Sequence, residues 1–126
     1  MSPPPRISRN FHVKEFHSKD GARVPLRSYR ALGWLAARYL EPLRAEFGVV
    51  NIYSGYRSES YNRAVGGAPL SRHRYDLAPL QVAADVSCHR GTPHDWYELL
   101  DQLGAGGLGL YPGFVHVDRR PGRARW

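Results

Sequence analysis

Two short strand-like runs place ionisable residues where a folded chain ordinarily buries apolar ones. Residues 81–86, Q-V-A-A-D-V, are small and apolar, which makes them a poor setting for an unpaired carboxylate at Asp85. A bound cation would offset that cost. Residues 109–118 indicate a turn followed by a short strand, whose period of two puts Phe114, His116 and Asp118 on one face. Any fold of this chain has to accommodate these polar groups.

His73, in the tripeptide S-R-H, completes a candidate set of metal ligands with Asp85 and His116. Two imidazoles and one carboxylate are enough to hold a Zn²⁺ ion while leaving a coordination position for water, and this pattern indicates hydrolytic chemistry. The residues alone leave alternatives open. Asp85 could cap a helix or form a salt bridge, and the histidines could be core residues hydrogen-bonded to the backbone.

Eight short motifs follow one another in an order typical of one enzyme family. They are S-G-Y-R-S at 54–58, Y-N at 61–62, V-G-G-A at 65–68, S-x-H at 71–73, A-A-D at 83–85, G-G-L-G-x-Y-P at 106–112, F-V-H-V-D at 114–118 and R-x-R-W at 123–126. With these motifs the chain resembles the zinc D-Ala-D-Ala carboxypeptidases (metallopeptidase family fifteen, subfamily A type). They are peptidoglycan peptidases of the LAS/hedgehog-like superfamily. The resemblance begins near Asn10 and runs to Trp126.

The resemblance implies that His73, Asp85 and His116 bind a zinc ion. It places Arg57 against the substrate, where a guanidinium group can grip a carboxylate or polarise the scissile carbonyl. It also implies that Ser71 lines the same cleft.

The fold that the resemblance implies is α+β, a hedgehog/DD-peptidase-like zinc fold. We expect a single domain over residues 10–126, a small antiparallel sheet flanked by helices, after a proline-rich leader over residues 1–9. The implied activity is hydrolysis of a peptidoglycan stem-peptide or cross-link bond, of the D-Ala-D-Ala carboxypeptidase or murein endopeptidase type. The alternative is an inactive structural or cell-wall-binding module, such as a phage tail component.

The segment between the first two implied ligands is longer than in that family. The family pattern S-x-H-x-x-G-x-A-x-D brings the aspartate soon after the histidine, whereas here Asp85 follows His73 by twelve positions (85 − 73 = 12). About five extra residues, Pro79 among them, are expected to loop out at modest entropic cost. Asp76 lies in this loop. Asp85 is preferred as the ligand because A-A-D-V keeps the family's strand context.

The general base that several members of the superfamily carry two or three positions before the last ligand is absent, because Phe114 and Gly113 stand there. Asp118 is the best local candidate to move the proton, since it shares a strand face with His116. Its competing role is to orient His116 or a nearby arginine, and the sequence favours neither role. Weaker candidates are His89, Asp76 and Asp95.

Length and composition fit one globular domain. The chain has 126 residues, 42% of them hydrophobic, and no apolar run approaches the roughly 18 residues needed to cross a bilayer. The first residues lack the apolar segment of a secretory signal. We therefore expect cytoplasmic synthesis with delivery to the cell wall by release or on a virion, which would make phage tail or virion proteins partners. The lone Cys88 excludes an intramolecular disulfide and is expected to be a small buried residue.

The net charge of +7 suits an anionic partner such as peptidoglycan, whose stem peptides are the expected substrate. The basic residues are scattered until the tail at 119–125, and we interpret most of them as solvated surface. No nucleic-acid-binding motif accompanies them, so nucleic acid is not expected as a partner.

Apolar periodicity predicts two main helices. Residues from about Leu26 to Phe47 carry apolar side chains at helical spacing, with a bend or restart at Pro42 and an end at Gly48. A second helix starts at Thr92-Pro93. A strand is predicted over residues 49–53, and a short helix capped by Ser58 through about residue 65.

Overall fold

The computed structural model describes residues 6–126, so the first five residues of the predicted leader lie outside the described part of the chain. The predicted domain boundary at residue 10 stays a prediction. Residues just before it already contact the domain, because the Ile7 amide donates to the Phe11 carbonyl at 2.9 Å and the Ser8 hydroxyl donates to Glu41 at 2.6 Å. Over residues 6–126, no helix combines the length and apolar character needed to span a membrane.

The predicted helical segment between Leu26 and Phe47 is confirmed. A 3₁₀ turn at Leu26–Ser28 leads into α1, Tyr29–Leu35, a π-helical turn at Ala36–Leu40, and α2, Glu41–Phe47. Pro42 lies in the first turn of α2. Because proline has no amide hydrogen, it interrupts the helical hydrogen-bond ladder here, and the wider π turn directly precedes it. The helix ends at Gly48, which has a positive φ of 83°.

Two further helices start at the residues that the sequence indicates. In α3, Glu59–Ala64, the Ser58 hydroxyl accepts a hydrogen bond from the Tyr61 amide at 3.1 Å. In α4, Pro93–Gln102, the Thr92 hydroxyl accepts from the Asp95 amide while the Asp95 carboxylate accepts from the Thr92 amide. These caps satisfy amides that the first helical turn leaves without partners. Single 3₁₀ turns lie at Val13–Phe16 and Tyr75–Leu77.

Five strands form one sheet in the order β1-β2-β4-β3-β5. Neighbouring strands are antiparallel except β3 and β5, which are parallel. The predicted α+β class with a small, mostly antiparallel sheet is therefore confirmed. The turn expected from residue 109 begins later, because Gly109 and Leu110 belong to a strand. The strands are β1 Val50–Ser54, β2 Ala83–Cys88, β3 Gly107–Leu110, β4 Val115–Asp118 and β5 Ala124–Arg125.

The sheet has one apolar face and one polar face. Alternate residues of the central strands, among them Val86 and Val117, join the core that the long helix and α4 cover. The intervening positions point to the opposite face. There Asp85 pairs directly with His116 across β2 and β4, and Asp118 follows two residues later on the same face. The register of two central strands thus brings three polar side chains together.

Candidate metal centre and substrate cleft

His73 lies in the loop after α3 and is buried, 3% exposed. Its backbone is fixed on both sides, since its amide donates to the Ser71 hydroxyl at 3.2 Å and its carbonyl accepts from the Arg57 amide at 2.8 Å. The ring Nδ1 lies 2.7 Å from the Gly55 carbonyl oxygen. A carbonyl only accepts, so Nδ1 carries a hydrogen, and in the neutral ring Nε2 presents its lone pair. That Nε2 lies 3.2 Å from Asp85 Oδ1.

His116 on β4 is held in the opposite ring orientation. Its Nε2 lies 2.6 Å from Asp118 Oδ2 and its Nδ1 lies 2.9 Å from Asp85 Oδ1. The fully buried Asp118 also accepts three more hydrogen bonds, from the Gly107 amide at 3.0 Å and from Arg120 at 2.7 and 2.5 Å. Nε2 therefore donates to Asp118, and in the neutral ring Nδ1 presents its lone pair to Asp85.

Nε2 of His73, Oδ1 of Asp85 and Nδ1 of His116 converge on one point. They are the one set of three or more candidate donors that residues 6–126 bring within 4.8 Å of one another. Tetrahedral zinc ligands lie roughly 3.3 Å apart, given metal–ligand distances of about 2.0–2.2 Å. The separations of 2.9 and 3.2 Å fit this geometry. The donor set and the ring orientations therefore suit a divalent cation.

Buried charges in this cluster stabilise one another. Burial alone would raise the pKa of Asp85. Without a bound metal, a protonated His116 or His73 ring can donate to Asp85, and these contacts outweigh burial and hold that pKa well below its usual range. Burial would lower the pKa of His116, but its bonds to Asp118 and Asp85 raise it. Burial would likewise raise the pKa of Asp118, whereas Arg120 and His116 lower it. Both carboxylates are thus ionised at neutral pH.

Arg57 faces the second oxygen of Asp85, with Nη2 3.6 Å from Oδ2. Its guanidinium also donates to the Ser54 hydroxyl at 3.2 Å and to the Asn62 side-chain oxygen at 3.3 Å. Asn62 is buried, and its amide group donates to the Ala68 carbonyl at 2.8 Å. The Y-N motif therefore fixes Arg57 and the turn after α3. The role of Asn62 in holding Arg57 follows from the fold and has no signal in the sequence beyond the motif itself.

A cleft of about 510 Å³ opens beside the cluster. The implied substrate residues Arg57 and Ser71 both line it. Asp85 is the one carboxylate among the lining residues that the structure describes. Phe114, which stands two residues before His116, stacks on Tyr111 in the cleft wall with ring centroids 4.5 Å apart. Other lining residues are Leu70, Arg72, Arg120 and Trp126.

The long segment between His73 and Asp85 contains the predicted loop, since Leu77, Pro79 and Leu80 are exposed, but its start is anchored in the core. Tyr75 is fully buried, packs against Tyr56 with ring centroids 5.5 Å apart, and donates its hydroxyl hydrogen to the Ala83 carbonyl. Tyr75 belongs to a single 3₁₀ turn, Tyr75–Leu77, which is too short to give a recognisable pattern in the sequence. Asp76 pairs with Arg74 at 2.7 Å, outside the metal cluster.

The G-G-L-G motif makes room for the cluster. A Cβ atom on Gly107 would lie 2.2 Å from an Asp118 carboxylate oxygen, and one on Gly109 would lie 2.4 Å from the Trp126 indole nitrogen. Trp126 packs on the His116 ring at 5.2 Å between centroids, and its indole donates to the Tyr111 hydroxyl at 2.8 Å. Glycine in β3 therefore lets both side chains approach the backbone.

Two arginines of the basic tail form buried or half-buried contacts and are not part of the solvated surface. Arg120 pairs with buried Asp118, as described above, and Arg125 donates to Asp101 at 2.9 Å and to the Gly106 carbonyl at 2.7 Å. The sequence signal available for Arg120 was its position two residues after Asp118, which matches the period of a strand. The partners of Arg125 are distant in sequence, so only the tertiary fold identifies them.

The remaining candidates lie away from the cleft. His89 is exposed beyond the end of β2, and Asp95 caps α4. Cys88 is buried, as predicted, and burial raises the pKa of its thiol to about 12, which leaves it without nucleophilic character at neutral pH.

The fold and the His-Asp-His cluster together define a metallopeptidase-like centre on the polar face of an α+β sheet. The family model described as Peptidase M15 matches residues 9–118, so the chain belongs to this family of peptidoglycan-related metallopeptidases. The family predicted from the eight motifs is thereby confirmed. Comparison with curated proteins and with solved structures gave no match.

Proposed function

We propose that the protein is a zinc-dependent peptidoglycan peptidase that hydrolyses a stem-peptide or cross-link bond, of the D-Ala-D-Ala carboxypeptidase or murein endopeptidase type. The observation that carries this proposal is the convergence of His73, Asp85 and His116. Each ring has its other nitrogen committed to a hydrogen-bond acceptor. Such outer partners fix the tautomer and orientation of zinc-binding histidines.

His73 Nε2, Asp85 Oδ1 and His116 Nδ1 would hold the zinc ion. When bound, Zn²⁺ supplies Lewis-acid polarisation of a peptide carbonyl and makes water a stronger acid. The protein contributes a cleft beside the cluster and fixed donors. Because the three donor groups are buried and held by hydrogen bonds, they need little rearrangement on metal binding.

Arg57 is proposed to stabilise the negative charge that develops on the carbonyl oxygen under attack, or to bind a substrate carboxylate. Its guanidinium is held by Ser54 and Asn62, so its charge stays next to the cluster. Ser71 lines the cleft beside it, and its hydroxyl accepts the His73 amide hydrogen while remaining able to donate to substrate.

Asp118 is proposed to position His116 and not to transfer the proton. Its two oxygens already accept four hydrogen bonds, and its side chain is fully buried behind the His116 ring. A general base has to reach the proton that it removes. With its lone pairs occupied, Asp118 is better suited to hold the imidazole in one tautomer.

A second candidate function is a cell-wall-binding module that keeps the fold without catalysis, for instance as a phage tail component. It is favoured by the composition of the cleft wall. Within the part of the chain that the structure describes, the lining residues include no carboxylate besides the proposed ligand Asp85, and no imidazole besides those of the proposed ligands.

The two candidates differ in metal content and in cleavage. Protein purified without chelator should contain one zinc ion per chain and release muropeptide fragments from peptidoglycan. His116→Ala should lose both properties, whereas His89→Ala, which removes an exposed imidazole beyond β2, should keep both. Binding of peptidoglycan without fragment release by zinc-loaded protein would favour the binding module.

A further inference from the structure

Arg72 occupies a distinctive place in the cleft. In the sequence it lies between Ser71 and the proposed ligand His73, and it is one of the residues that line the cleft. Of the three arginines there, Arg57 faces Asp85 and Arg120 is paired with Asp118. Within residues 6–126, Arg72 has no carboxylate within salt-bridge distance. Its one side-chain hydrogen bond is a long one, from Nη1 to the Gln81 side-chain oxygen at 3.5 Å.

Gln81 is held so that its oxygen faces Arg72. Its amide group donates to the Ser71 carbonyl at 3.1 Å and to the Arg74 carbonyl at 3.0 Å. With both amide hydrogens engaged, the side-chain oxygen is directed to the remaining side, where Arg72 lies. Gln81 comes from the long segment between His73 and Asp85. That segment therefore shapes the cleft wall next to the first proposed ligand.

The charges in the cleft favour an anionic ligand. Three guanidinium groups line it, and the one lining carboxylate, Asp85, is committed to the two imidazoles. A bound divalent cation would add further positive charge. A guanidinium group recognises a carboxylate through two parallel hydrogen bonds, and such charge-assisted pairs are among the strongest in proteins. Arg72 can form that pair without breaking an existing ion pair.

We propose that Arg72, oriented by Gln81, is a specificity-determining residue that binds a free carboxylate of the substrate peptide on the His73 side of the cleft. This inference rests on the proposed peptidase function. The carboxylate has two sources in a stem peptide, the C-terminus and a side chain, and Arg72 recognises the chemistry they share.

The test compares zinc-loaded protein on three synthetic stem peptides: one with both carboxylates free, one with a C-terminal amide, and one with amidated side-chain carboxylates. Blocking the recognised carboxylate should raise the KM of the wild type at least about tenfold, the scale of a lost charged hydrogen bond. On the peptide with free carboxylates, Arg72→Gln should raise KM by the same factor as blocking the recognised carboxylate does in the wild type. On the blocked peptide, Arg72→Gln and the wild type should have the same KM. kcat should change little.

Three variants sharpen the result. Arg72→Lys keeps the charge but loses the paired N–H donors of the guanidinium group, so its KM should lie between those of the wild type and Arg72→Gln. Gln81→Leu leaves Arg72 in place, and should raise KM on the same peptide by a smaller factor. Arg30→Gln removes one positive charge from an exposed position in α1, and should change no KM.

Equal KM changes for Arg72→Gln on free and blocked peptides would overturn the proposal, and so would an Arg30→Gln variant that matches it. If the wild type cleaves none of the peptides, the peptidase function fails, and calorimetric binding of the same peptides to the zinc-loaded protein then tests Arg72. Carboxylate-dependent binding that Arg72→Gln abolishes supports the assignment. Binding indifferent to amidation overturns it.

Discussion

Replacing Asp118 with asparagine separates the two roles that the sequence left open for this residue. The substitution keeps the shape of the side chain but removes its charge, and it puts a donor NH₂ group where one oxygen now accepts from His116 or Arg120. The imidazole loses its fixed tautomer. A positioning role therefore predicts that the damage appears in metal binding.

The size of the effect follows from the contacts. Loss of an outer partner of a metal-binding histidine typically lowers metal affinity 10- to 100-fold, which corresponds to about 1.4–2.8 kcal/mol. Asp118 also anchors Arg120 and the Gly107 amide. Because Arg120 remains 19% exposed and can recover some hydration, we expect the free energy of unfolding to fall by only about 2 kcal/mol.

The assay titrates zinc into Asp118→Asn against a competing chelator and measures kcat at saturating zinc. The expected result is weaker zinc binding with most of kcat restored once the site is filled. Asp76→Asn is the matched control, because Asp76 also pairs with an arginine two residues away and lies outside the cluster. It should bind zinc like the wild type.

The opposite pattern would refute this reasoning. Unchanged zinc affinity together with a kcat reduced by roughly a thousandfold at saturating zinc would identify Asp118 as the group that transfers the proton.

Three further perturbations test other contacts. Gly107→Ala forces a methyl group against Asp118 and should cost about 1–3 kcal/mol of stability and weaken zinc binding, measured by denaturant unfolding and chelator competition. Gly113→Ala, with open space around it, should do neither, and equal effects would contradict the packing argument. Tyr75→Phe leaves a buried carbonyl unpaired and should lower the unfolding free energy by about 1–3 kcal/mol; a neutral change would mean that the hydroxyl bond contributes nothing. The pKa of Asp20 is lowered to about 2, chiefly by its bond from the serine that caps α3, so its stabilising contribution is present above about pH 4 and is lost as the pH falls to about 2. Asp20→Asn should therefore lower the thermal midpoint at pH 6 and much less at pH 2, and an equal loss at both values would contradict the assigned cause.

Local pattern was enough to predict the elements that position the site. Apolar spacing from Leu26 to Phe47 predicted the long helix, because its core-facing stripe recurs with the helical period. Strand alternation placed His116 and Asp118 on one face. Capping residues fixed the starts of α3 and α4. All of these depend on neighbours within a few positions along the chain.

The contacts that define the cleft depend on residues far apart in sequence, and pattern could not supply them. Nothing near Gln81 indicates that its amide group bridges two carbonyls of the Ser71–Arg74 turn. Which nitrogen of each imidazole faces Asp85 is decided by Gly55 and by Asp118, and no periodicity encodes that choice. Trp126 reaches His116 only because β5 lies beside β3.

The segment from Arg74 to Val82 is buried near its two ends and exposed in its middle. Tyr75 and Val82 are wholly buried at its two ends, while Leu77 and Leu80 between them are 42% and 56% exposed. Substitutions at these exposed leucines should leave the His73 imidazole and the Asp85 carboxylate, which flank the segment, in place. The surface between the two anchors can therefore vary in sequence while the candidate metal centre keeps its geometry, which a library randomised at Leu77 and Leu80 and screened for metal binding would test.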